Sequence, residues 1–63
     1  QNDYIGAKGV AATTLRPSGT VELNDGTRID VVTRGEFIEK GEPVQVIQKE
    51  GTWLVVEKRR TQE

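Results

Sequence analysis

Apolar and polar residues alternate with a period of two along most of this chain, and glycine interrupts the alternation at short intervals. No long window carries the 3.6-residue spacing of an amphipathic helix. The pattern predicts five strands, over residues 8–14, 20–24, 27–33, 43–49 and 52–58. Val, Ile and Thr fill these segments, as a pleated, half-buried surface prefers.

Turn chemistry fixes two hairpins. Around Asn24-Asp25-Gly26, a two-residue turn would place Leu23 opposite Arg28 and mix the faces. A three-residue loop with Gly26 in the left-handed region pairs Val21 with Ile29 and Glu22 with Arg28. Val21, Leu23, Ile29 and Val31 then share the inner face, with a charge pair outside. The same logic at Lys49-Glu50-Gly51 pairs Val44 with Val56 and Val46 with Leu54. Ile47 then faces Trp53 on the outer surface, with Val55 beside them, and this outward apolar strip is the candidate contact surface.

Between the third and fourth strands, residues 34–42 are too few for a stable helix and carry a glycine near each end. A loop is expected there, folding Phe37 and Ile38 under the sheet as a plug, with Pro43 opening the next strand. Residues 1–6 read as a disordered lead-in, 7–58 as one all-β barrel domain and 59–63 as a frayed tail.

Composition narrows the chemistry. A chain of 63 residues buries only about 60% of its unfolded surface, so its core must be continuous. There is no cysteine, hence no disulfide or thiolate cluster, which fits a reducing compartment. Without histidine, the commonest general base and metal ligand are also missing. Ser18, the lone serine, sits in the turn-forming Arg16-Pro17-Ser18-Gly19 with no base to activate it. Asp25, Asp30, Glu36, Glu39, Glu42 and Glu50 fall mostly in turns, where water keeps them ionised, and show no calcium-loop spacing. No catalytic residue, metal ligand or cofactor site is assigned.

The net charge of -1 lacks the basic surplus of a nucleic-acid module, and of Tyr4, Phe37 and Trp53 only the last is expected to be exposed. Residues 35–44 also look like the glycine-to-valine stretch of biotinyl and lipoyl carrier domains, but Lys49 lacks the setting of an acceptor lysine. No apolar run exceeds four residues, so neither a membrane span nor a signal peptide is read. The start at Gln1 without any Met reads as a piece of a longer chain.

One longer pattern is more specific. Gly9-x-Ala11-x-Thr13-x-Leu15-Arg16-Pro17-Ser18-Gly19-x-Val21 is followed by Asp25-Gly26-x-Arg28-x-Asp30-Val31. Then come Gly35-x-Phe37-Ile38-x-x-Gly41-x-x-Val44-x-Val46 and Gly51-x-x-Leu54-x-Val56. This series resembles the C-terminal soluble domain of NfeD-family proteins from about Gly6 to Lys58. The resemblance implies a compact five-stranded OB-fold-like barrel attached to transmembrane helices, which in long family forms follow a ClpP-class serine protease domain. It also implies a stomatin- or flotillin-like membrane protein as partner, and no catalysis within the barrel. Leu15 would cap the barrel end, Arg16 would fix the turn by bonding a carbonyl or Asp30, and Gly41 would break the chain before the fourth strand.

The residues and the resemblance together imply a non-catalytic interaction module of a membrane-anchored protein, on the cytoplasmic face, with Ile47, Trp53 and Val55 as its expected contact surface. Two alternatives stand beside it: an OB-type binder of single-stranded nucleic acid, and a domain that regulates an attached protease.

Overall fold

The computed structural model describes residues 4–59. Five strands are present: β1 (Lys8–Ala11), β2 (Ser18–Leu23), β3 (Arg28–Val32), β4 (Pro43–Glu50) and β5 (Trp53–Lys58). They close into a barrel in the order β1-β2-β3-β5-β4. All neighbours are antiparallel except β3 and β5, which run parallel at Val31–Leu54 and Val32–Val55. The fold is thus the all-β, five-stranded barrel that the alternation predicts.

The first hairpin has the expected register. Val21 pairs with Ile29 and Glu22 with Arg28, and Gly26 turns the chain at a φ of 92°. Asp25 holds this turn by accepting the Thr27 backbone N–H at 2.9 Å. That bond lowers the carboxyl's pKa from the ordinary Asp value. Outside, the Arg28 guanidinium lies 3.7 Å from Glu22.

The second hairpin corrects the sequence reading. Val46 pairs with Val56, Val44 with Lys58 and Glu50 with Trp53, so the turn is the two residues Gly51-Thr52. Gly51 has a φ of 63°, which suits the first position of a type II′ turn. A three-residue turn would have left no slack, but β4 carries a bulge between Val46 and Gln48. Ile47 is the extra residue, and it re-aims the rest of the strand.

The core is continuous: Ala11, Leu15, Val21, Leu23, Val31, Ile38, Val44, Val46, Leu54 and Val56 form one cluster. At Gly9 two strands approach closely enough to require glycine, since a Cβ there would stand 2.3 Å from the Glu22 carbonyl oxygen. Leu15 seals one end, bridging to Ile38 through reciprocal backbone bonds of 2.8 and 3.1 Å. Only Ile38 is the plug. Phe37, its neighbour, is 55% exposed, because the bridge turns consecutive side chains to opposite sides. Thr33 closes the intervening loop, its hydroxyl donating to the Glu36 carbonyl and accepting the Gly35 N–H. Gly41, at a φ of 92°, makes the break before β4.

Tyr4–Gly6 were expected in the lead-in but form a turn: Ala7 N–H donates to the Tyr4 carbonyl and Gly6 N–H to that of Val46. Tyr4 packs against the core, which holds this turn in place. Arg59, read as the start of the tail, donates its N–H to the Pro43 carbonyl at 2.9 Å. The expectations for residues 1–3 and 60–63 lie outside the described residues.

Candidate partner-binding surface

The three residues chosen from the sequence do not form one exposed strip. Trp53 opens β5 on the outer wall and is 48% exposed. Val55 follows on the same wall, yet only 3% of it is exposed. Ile47 sits at the bulge, half-buried, and has no cross-strand partner in the ladder. The bulge that shortens the turn also replaces Ile47 with Glu50 opposite Trp53.

Val55 is buried although it stands outside the core cluster. It pairs with Val32 on one side and Gln48 on the other. Arg34, just beyond β3, donates from Nη2 to Oε1 of Gln48 on β4. β5 lies between those two strands, so the guanidinium arm crosses it at the level of Val55. Gln48 Nε2 in turn donates to Glu50 Oε2 at 2.8 Å. A polar chain, Arg34–Gln48–Glu50, therefore spans this wall and ends on Glu50, the ladder partner of Trp53. Long side chains cover apolar surface in this way while keeping their polar heads in water.

Sequence reasoning missed three parts of this wall: the Arg34 arm, the placement of Glu50, and that of Asp30. Asp30 precedes the Val31–Leu54 pair by one residue, so it shares the outward face and the level of Trp53. The signal available was Gly51 followed by Thr52, which fits a two-residue turn as well as Lys49-Glu50-Gly51 fits a longer one.

The opposite end of the barrel carries a second exposed ring. The Arg16 guanidinium lies 5.2 Å from the centroid of Phe37, a cation–π arrangement. Arg16 was expected to bond a carbonyl or Asp30; it stacks on this ring instead. An open groove is lined by Tyr4, Gly6, Ala7 and Lys8 on one side and by Leu23, Asn24 and Asp25 on the other. Among the described residues, no group of three His, Cys, Asp or Glu side chains could hold a metal ion. No described helix is long and apolar enough to cross a membrane.

Comparison with known proteins places this architecture. The family model described as the NfeD-like C-terminal, partner-binding domain matches residues 1–58. The chain is 48% identical over 56 residues to the membrane protein NfeD1b of Bacillus subtilis, which covers 89% of this chain. It spans only 13% of that relative's length. Its fold is similar to the C-terminal domain of stomatin operon partner protein 1510-C from Pyrococcus horikoshii. That similarity has a TM-score of 0.82 at 30% identity, over 94% of this chain and 92% of the other. Family model, relative and fold agree, and the chain belongs to the NfeD family as its C-terminal, partner-binding domain.

Proposed function

We propose that this barrel is a non-catalytic docking module of a membrane-anchored protein on the cytoplasmic face, that its partner is a stomatin-like membrane protein, and that Trp53 anchors the contact. The observation that carries this reading is the half-exposed indole on a wall whose other apolar members, Val55 and Ile47, are covered or half-buried. About half of this lone tryptophan stays in water although it stands in a paired strand, and tryptophans are over-represented among interface anchors. The named relatives supply the partner class: one is a membrane protein, the other a stomatin operon partner. Val55 and Ile47 enter as the floor that holds the anchor rather than as contact residues.

A non-catalytic role agrees with the placement of the carboxylates, all of which are at least partly exposed among the described residues. A single-strand nucleic-acid binder would need cations beside its stacking ring, whereas the wall around Trp53 presents Asp30 and Glu50. The test is a pull-down of the soluble part of a stomatin-like protein by the wild type and by Trp53→Ala. Loss of an anchor of about 2 kcal/mol weakens binding roughly 30-fold. The melting curve should barely move. Intact binding with a large loss of stability would return Trp53 to a purely structural role.

A further inference from the structure

Trp53 has an acidic neighbour on each side. Across the antiparallel ladder its direct partner is Glu50, and directly paired side chains on one face lie about 4.5–5.5 Å apart at Cβ. Across the parallel ladder its level is shared by Asp30. Both acids are exposed.

Neither carboxylate is paired with a cation among the described residues, because the arginines of this wall are committed elsewhere. Arg28 lies against Glu22, and Arg34 is spent on Gln48. The hydrogen bond from Gln48 Nε2 holds the carboxylate of Glu50, the ladder partner of Trp53, without neutralising it. Lys49 falls on the other face, paired with Leu54. The result is an aromatic face, itself attractive to cations, between two carboxylates that no described salt bridge engages, the nearest guanidinium, that of Arg34, standing one amide away from Glu50. With a net charge of only -1 on the whole chain, this concentration is local rather than a property of the molecule.

We infer that the Trp53 site is a receptor for a lysine or arginine side chain, seated on the indole between Asp30 and Glu50, and that the partner's docking segment is basic. This rests on the reading of Trp53 as the contact anchor and specifies the chemistry of what it receives. A guanidinium or ammonium there satisfies the ring and both acids at once, whereas an acidic or purely aliphatic segment leaves the acids desolvated without partners.

Two measurements test it. Trp53 is the only tryptophan, so its emission reports this site alone. In the free domain, quenching by caesium relative to iodide should exceed the ratio for N-acetyltryptophanamide by at least twofold. Asp30→Asn with Glu50→Gln should bring the ratio back to that reference. A ratio at or below the reference in the wild type overturns the inference. In the second measurement, the same double variant should bind the stomatin-like protein about tenfold more weakly at low salt and with a flatter salt dependence. Asp30→Lys with Glu50→Lys should abolish binding, with melting curves confirming that each variant is folded. If Trp53→Ala destroys binding while the acid variants bind like the wild type, the cationic segment is wrong and the anchor stands. Binding indifferent to Trp53→Ala removes both.

Discussion

Ile38 and Phe37 are adjacent, similar in hydrophobicity and opposite in fate, which makes them a sharp test of the barrel's closure. Ile38 is 1% exposed, and truncation to Ala removes three carbons from a site with nothing to fill it. At about 0.8 kcal/mol per buried methylene the transfer loss alone is ~2.4 kcal/mol. The cavity left behind brings the cost to ~3–4 kcal/mol, within the usual range for Ile→Ala. A domain of 63 residues has a total stability of only about 3–9 kcal/mol at 0.05–0.15 kcal/mol per residue. Ile38→Ala therefore removes a third or more of the stability and lowers Tm by at least ~12 °C. Phe37→Ala forfeits less than half a ring's burial and the contact with Arg16, together about 1 kcal/mol, and water fills the space. Equilibrium urea unfolding of both variants, with Ile38→Val at ~1 kcal/mol as the conservative control, reads the difference as a shift in midpoint at constant m. A Phe37→Ala midpoint at or below that of Ile38→Ala would mean that the ring, not the isoleucine, seals the barrel.

Other positions give equally definite outcomes. Gly9→Ala places a Cβ 2.3 Å from the Glu22 carbonyl oxygen and 2.7 Å from the Leu23 Cα, backbone atoms that no rotamer change can move. It should cost at least ~2 kcal/mol by thermal melting, and a loss below ~0.5 kcal/mol would show that β1 and β2 can part there. Val55→Ala removes two carbons from beneath the Arg34 arm and should cost ~1.6 kcal/mol in stability; a melt unchanged from wild type would show that the patch is open to water. Asp25 should titrate below the ordinary Asp range because its carboxylate accepts the Thr27 N–H. Its contribution to stability is complete above the unfolded-state pKa and is lost as pH falls through the lower folded value. Carboxyl NMR titration checks this directly, and Asp25→Asn should flatten that acid limb of the stability profile.

The strands and the first hairpin were legible because every local signal there agrees. Alternation, the Asn24-Asp25-Gly26 loop and the charge match of Glu22 with Arg28 all demand one register, and a slip of one residue would turn Val21 and Val31 outward. The second hairpin was not legible in the same way. Val44, Val46, Leu54 and Val56 satisfy inward alternation in either of two registers, so burial alone cannot choose between them. The bulge at Ile47 decides it, and a bulge leaves no mark in a pattern of period two beyond one residue too many. Phe37 was misread for a related reason. In a glycine-bounded loop, the sequence offers two apolar residues and one hole, and only the backbone bridge between Leu15 and Ile38 says which of them enters it.

That hole is small for a reason that bears on function. A barrel of five short strands encloses only enough volume for its own side chains, and here ten of them fill it from Ala11 to Val56. Emptying the lumen to admit a ligand would remove the core that holds the chain together. Recognition is thereby displaced to the outside, where the sheet must offer features that folding does not require. Arg34, Gln48 and Glu50 form such a feature: their side chains link across the strand on which Val55 is buried and Trp53 half-exposed, and the chain ends on the ladder partner of Trp53. If that chain fixes the anchor, Arg34→Ala should loosen Gln48 and Glu50 together and increase acrylamide quenching of Trp53 while costing no more than ~1 kcal/mol in stability. Unchanged quenching would mean that the indole is held by β5 alone, and that the polar chain above it serves only to cover Val55.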